Sequence, residues 1–209
     1  VKGLFITFEG GEGTGKSTQI GLLAQKLRAA GRRVVETREP GGTPEAEAIR
    51  TLLVSGDIGR WSAEAETLLN GAARESHLRS VIRPALAEGA VVICDRFMDS
   101  TRAYQGFAGG CPIELVDMVE QLVVGTTRPD MTLIFDIDPA IGLARAKARG
   151  GSAEDRYERK GLTFHQRLRQ GFFAIAATEP KRCKVIDASA AIAEVETEVH
   201  SHVSALLNG

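Results

Sequence analysis

Gly10-Gly11-Glu12-Gly13-Thr14-Gly15-Lys16-Ser17 fits the pattern G-x-x-x-x-G-K-[ST] without a mismatch. The flanks supply the setting that gives the pattern meaning. Leu4 to Phe8 is a short apolar, β-prone run, and Ser17 to Ala30 reads as a helix. Strand, glycine loop and helix together make a phosphate cradle. The glycines let backbone N–H groups converge on phosphate oxygens, and the helix N-terminus adds the positive end of its dipole. Gly10 through Ser17, with Thr18 behind them, are therefore expected to hold a nucleoside triphosphate. Lys16 would reach its β- and γ-phosphates, and the Ser17 hydroxyl would ligate Mg²⁺.

Outward from this loop, strands and helices alternate. Gly31 ends the first helix and Arg33 to Thr37 reads as a second strand, followed by a turn-forming cluster from Arg38 to Pro44. Glu45 to Val54 has helical spacing. Ala63 to Glu88 is a long helical stretch expected to bend or break near Pro84. Ala90 to Cys94 and Met131 to Phe135 are nearly all apolar, as strands covered on both faces are. Cys183 to Ile186 is a last short strand, and helices are read at Pro112 to Val124, Ala140 to Arg149, Leu162 to Thr178 and Ala190 to Leu207. The pattern predicts an α/β fold of three layers: a five-stranded parallel sheet with helices on both faces. One domain would span 1–209, with a short charged lid at about 149–161. The unusual polar residues Glu12, Arg38, Asp95-Arg96 and Asp136 all fall at strand ends, where such sheets bind ligands.

Composition narrows the function. A net charge of −1 and the lack of a basic–aromatic surface argue against nucleic acid or an anionic membrane as partner. Cys94, Cys111 and Cys183 are odd in number and widely spaced, which fits reduced thiols in the cytoplasm rather than a disulfide framework. No signal-peptide pattern opens the chain, and no apolar run is long enough to cross a membrane. The four histidines show no metal spacing with the cysteines.

Three clusters carry chemistry. Asp95 at a strand end could hold Mg²⁺ through water, and Arg96 beside it offers a planar fork for phosphate. Asp99 to Gly106 brings hydroxyls, an amide and one of only two tyrosines, groups suited to a sugar hydroxyl and a base edge. Arg145, Arg149, Arg156, Arg159 and Lys160 form the densest basic stretch, either a solvated mixed-charge face or a lid that brings arginines onto a transferring phosphate.

Taken together, GGEGTGKS, TREPGGT, DRFMDSTRAYQG and ARGGSAEDRYER resemble the thymidylate kinase family along nearly the whole chain. The resemblance implies transfer of the γ-phosphate of ATP to dTMP with Mg²⁺, a P-loop nucleotide-kinase fold and a homodimer. It implies that Glu12 faces the acceptor's 3′-hydroxyl, that Arg38 and Arg96 grip the acceptor phosphate, and that Asp95 helps place Mg²⁺. Arg74 would bond the thymine edge, Ser100, Thr101 and Gln105 would line the nucleoside pocket, and Tyr104 would disfavour a ribose 2′-hydroxyl. Glu39-Pro40 would be a cis peptide. The loop interior lacks Arg, so Arg149 and Arg156 are the expected lid catalysts, as in the bacterial type. One departure stands out: where the family often stacks a Phe on the base, four residues before Arg74, this chain has Asn70. Asn70 itself, Phe97 or Phe107 would have to compensate. The rivals are a kinase for another nucleotide or a deoxynucleoside, and a nucleotide switch. The switch is disfavoured because no guanine-reading N-K-x-D pattern occurs.

Overall fold

The computed structural model describes residues 3–148 and 155–208. Its strands are β1 (Leu4–Gly10), β2 (Val34–Arg38), β3 (Val91–Asp95), β4 (Met131–Asp136) and β5 (Cys183–Asp187). They form one all-parallel sheet in the order β2-β3-β1-β4-β5. The helices are α1 (Lys16–Ala29), α2 (Pro44–Val54), α3 (Ala63–His77), α4 (Arg83–Ala87), α5 (Met98–Thr101), α6 (Ile113–Val123), α7 (Pro139–Ala148), α8 (Leu162–Thr178) and α9 (Ile192–Asn208).

The sheet is covered on both faces, so neighbouring strand residues go to different cores. Ile6, Phe8, Val91 and Ile93 pack under α1 and α9, against Leu23, Leu27, Val199 and Val203. Phe5, Val92 and Cys94 face the other way, against Leu78, Ile82, Ala85 and Phe97. A third cluster joins Ile134 to Tyr104, Phe164, Leu168 and Phe172 and fixes α8 against β4. The expected α/β architecture is the one observed.

The break expected near Pro84 is a π-helical turn over Leu78–Ile82, in which the Arg83 N–H bonds the Leu78 carbonyl. Pro84 has no N–H and its ring crowds the preceding turn, so the ladder opens by one residue there. A second π-helical stretch, Arg102–Ala108, follows α5 and carries Tyr104 and Gln105. From Met98 to Ala108 the chain is thus helical.

Candidate active site

The glycine loop sits at the carboxyl end of β1, pressed onto backbone. A Cβ on Gly10 would lie 2.3 Å from the Phe135 carbonyl oxygen, and one on Gly13 2.0 Å from that of Gly142. Gly13 also has a φ of 67°, so a side chain there is excluded by both space and conformation, whereas at Gly15, with φ of 82°, conformation alone disfavours one. Lys16 is folded across the loop. Its ammonium donates to the carbonyls of Gly10 (3.3 Å) and Gly11 (2.9 Å) and to the Thr14 hydroxyl (3.2 Å). Burial, reinforced by Arg96, pulls its pKa down to about 8. Thr18 is exposed on the first turn of α1 beside Ser17.

Parallel pairing of β1 with β3 brings Asp95 and Arg96 to the same edge. The Ser17 hydroxyl donates to Asp95 Oδ2 at 3.4 Å, while Asp95 Oδ1 is buried without a hydrogen-bond partner. A hydroxyl beside a carboxylate with one buried oxygen left over is the donor set of a hard, oxygen-ligated cation, so these residues fit Mg²⁺.

Arg96 is the only non-glycine residue with positive φ (68°) among the described residues. Held left-handed, which costs on the order of 1 kcal/mol, it turns its side chain back over the glycine loop. Its guanidinium donates to the Gly10 carbonyl (2.8 Å), Glu12 Oε1 (3.0 Å) and the Ser100 hydroxyl (3.4 Å), and lies 5.0 Å over the Tyr104 ring. Glu12 Oε1 also accepts from the Tyr104 hydroxyl at 2.6 Å. Burial alone would raise the Glu12 pKa, but Arg96, Lys16 and the tyrosine hydroxyl outweigh it and hold it at about 2.

Arg96 needs a clamp, and Glu9 provides it. Buried at the end of β1, Glu9 accepts from the backbone N–H of Phe97 (2.8 Å) and Ser100 (3.2 Å) and from the Ser100 hydroxyl (2.5 Å). Burial and then the nearby Asp99 push its pKa up to about 8. Glu9 belongs to none of the motifs that mark the site in the sequence. A Glu inside an otherwise apolar strand, one position before the glycine loop, is the signal that could have found it.

Arg96 also borders a cavity of about 120 Å³ that opens to solvent on one side, walled by Glu12, Pro40, Asn70, Thr101, Tyr104, Gln105 and Tyr157. Arg74 lies behind this wall, 3% exposed, bonded to Glu39 (2.7 Å), the Phe97 carbonyl (3.0 Å) and the Thr101 hydroxyl (3.0 Å). Glu39 in turn meets His77 Nδ1 at 2.9 Å, and His77 Nε2 meets the Thr37 hydroxyl at 2.6 Å. The Glu39-Pro40 bond is cis. Arg38 stands apart from Arg96: it is exposed, pairs with Glu47 at 3.1 Å, and shares a shallow cleft with Ser17 and Asp95.

No phenylalanine replaces the missing base-stacking ring. Phe97 is fully buried edge-on against Phe5 at 4.9 Å. Phe107 is half exposed and packed over Gly171. Asn70 borders the cavity, but its amide donates to the Glu66 carbonyl one turn back at 2.8 Å. The aromatic surfaces present are Tyr104 and Tyr157, edge-to-face at 5.4 Å.

Of the expected lid catalysts, Arg149 lies outside the described residues. Arg156 is described and is not directed at the glycine loop. Fully buried, it donates to the carbonyls of Leu53, Asp57 and Ile58 (each 2.9 Å) and to the Glu66 carboxylate (2.6 Å). A guanidinium with four of its five N–H groups on three carbonyls and a buried carboxylate is occupied as a staple, which charge spacing alone does not disclose. Lys160 also reaches Glu66, at 3.4 Å. Arg145 bonds the Ala188 carbonyl (3.2 Å), and Arg159 pairs with Asp155 (2.8 Å).

The chain was compared with known proteins. The thymidylate kinase family model matches residues 8–199. A thymidylate kinase of Caulobacter vibrioides is 58% identical, with 95% of this chain and 94% of that protein aligned. One from Bradyrhizobium sp. (strain ORS 278) is 53% identical over 95% of this chain and 88% of its own length. The crystal structure of thymidylate kinase from Ehrlichia chaffeensis superposes with a TM-score of 0.79 at 37% identity, covering 98% of this chain and 99% of that one. Sequence and fold agree over almost the full length: the chain belongs to the thymidylate kinase family of phosphotransferases.

Proposed function

We propose that this protein transfers the γ-phosphate of ATP to dTMP, giving dTDP and ADP, a step in making dTTP. The observation that carries this reading is the position of Arg96. One guanidinium touches the glycine loop through Gly10 and Glu12 and borders the acceptor cavity, so donor and acceptor phosphates would meet beside it. The dTMP phosphate is already anionic and nucleophilic, so the protein has no strong base to provide. Its task is alignment and charge neutralisation. Lys16 would leave the loop carbonyls for the transferring phosphate, and Arg96 would offer its fork to the acceptor phosphate. Ser17 and Asp95 would hold Mg²⁺, which when bound neutralises charge on the donor phosphates. Glu12, with a pKa of about 2, is a carboxylate at neutral pH and would accept from the acceptor's 3′-hydroxyl. Tyr104, braced by Glu12 and Arg96, would close the space a 2′-hydroxyl needs.

Leu68 on α3 and Met118 and Leu122 on α6 are exposed to solvent, and α3 packs on α6 where Gly71 meets Val119. This apolar face supports the homodimer that the family resemblance implies. The three cysteines are buried and unpaired, in keeping with a reducing cytoplasm.

The test is ADP release with ATP and Mg²⁺ across dTMP, dUMP, UMP, dCMP, dGMP and no acceptor. The reading expects dTMP first, dUMP weaker and UMP near zero. ATP binding without turnover on any of these would refute it.

A further inference from the structure

Glu66 is a carboxylate on α3 that neither the glycine loop nor the phosphate grip uses, and it is 1% exposed. Four groups converge on it. Oε1 takes Arg156 Nη2 (2.6 Å) and Lys160 Nζ (3.4 Å). Oε2 takes Gln105 Nε2 (2.8 Å) and the Tyr157 hydroxyl (3.0 Å). The Tyr157 oxygen also accepts from Gln105 Nε2 at 3.3 Å. The pattern has a chemical consequence. An ion-paired carboxylate only accepts, so the end of the Gln105 amide turned toward it must be the NH₂. That NH₂ lies within reach of both Glu66 Oε2 and the Tyr157 oxygen. The carbonyl oxygen of Gln105 takes no hydrogen bond from the described residues and belongs to the side chain that lines the acceptor cavity.

We propose that Glu66 is a positioning residue for base selection: it fixes the direction of the Gln105 amide so that the cavity is offered a carbonyl acceptor. This rests on the acceptor being a pyrimidine nucleotide, as proposed above. A fixed acceptor favours a base that presents an imide N–H, as thymine and uracil do. It disfavours cytosine, whose ring nitrogen at that position is itself an acceptor. The same carboxylate anchors Arg156 and Tyr157, so the anchor of the segment over the cavity and the polarity of its wall are set by one group.

Glu66→Gln tests this in the full-length enzyme. The new side chain must keep its oxygen toward Arg156, which only donates, and so turns its NH₂ toward Gln105. The Gln105 amide then has to reverse, and a donor faces the cavity. Expected is a compression of the dTMP-to-dCMP ratio of kcat/KM by about 10- to 100-fold, the scale of one mismatched buried hydrogen bond, with the KM for ATP unchanged. In a Gln105→Leu background the same substitution should leave the ratio where Gln105→Leu puts it. A folded Glu66→Gln enzyme with a wild-type ratio overturns the proposal, as does an undiminished effect in the Gln105→Leu background. Failure of wild-type enzyme to prefer dTMP would sink the underlying reading instead. If Glu66→Gln does not fold, wild-type protein carries the test by NMR. The Gln105 Nε2 protons should exchange slowly with or without dTMP; protection that appears only with dTMP overturns the assignment.

Discussion

Arg156 separates two accounts of the segment that follows the undescribed residues. If it is the staple that the structure describes, Arg156→Ala is a stability mutation. The guanidinium is fully buried and its partner Glu66 is 1% exposed. Removing one member of a buried ion pair costs about 3–5 kcal/mol, because the remaining charge stays in a poor solvent. Lys160, at 3.4 Å, would compensate only partly. The carbonyls of Asp57 and Ile58 belong to exposed residues and can be rehydrated, whereas that of Leu53 cannot. The expected loss therefore stays near the pair value, about 3–5 kcal/mol. For a protein of this size each kcal/mol moves Tm by about 2–4 °C, so melting should fall by about 6–20 °C. Thermal unfolding beside kcat, measured well below the new transition, is the assay. Arg156→Lys should recover part of the stability, since it restores charge without the fork. A variant that melts within about 2 °C of wild type yet loses turnover by about 100-fold or more would refute the staple and restore a catalytic lid arginine.

Other outcomes follow from the same geometry. Lys16→Ala should lower kcat by about 100-fold or more, since it removes charge developed against the transition state, with little change in the KM for dTMP; equal losses in both would mean Lys16 chiefly organises the loop. Glu9 titrates near 4.5 in the unfolded chain and near 8 when folded, so between those values the folded protein keeps a proton the unfolded chain has released. The stability it contributes is full below pH 4.5 and lost as pH rises through about 8. Wild type should therefore lose stability relative to Glu9→Gln, a neutral stand-in for the protonated acid, as pH rises across that window in denaturant melts, and a flat difference refutes it. Leu122→Glu with Met118→Glu should yield a monomer in sedimentation; an unchanged mass would remove that face from the proposed dimer.

The sheet was legible because its evidence is local. The apolar runs of β3 and β4 and the eight-residue loop each carry their own signal, and parallel order follows from alternation with helices. The convergence of Lys16, Ser17, Asp95 and Arg96 was legible for the same reason: all four adjoin strand ends. Partnerships across the chain were not. Arg156 and Glu66 are ninety residues apart, and nothing in a mixed-charge run says that one arginine is inside. Glu39 looks like an ordinary surface acid until Arg74 and His77 of α3 close over it. The compensation expected from Phe97 failed because its ring is needed in the core against Phe5.

Glu66, Asn70, Arg74 and His77 follow one another at spacings of four, four and three along α3, and so share a single face of that helix. One grips Arg156 and Lys160, one borders the cavity, one braces its wall and the last reaches β2 through Glu39 and Thr37. The helix acts as a camshaft: tilting its axis would move all four followers in phase, whereas no single loop movement could. Its opposite side carries Leu68, which touches nothing in the cavity. Substitutions or partners that lean on that outer side have a mechanical route to substrate choice, and altered selectivity should arise there without any change in the residues that meet the nucleotide.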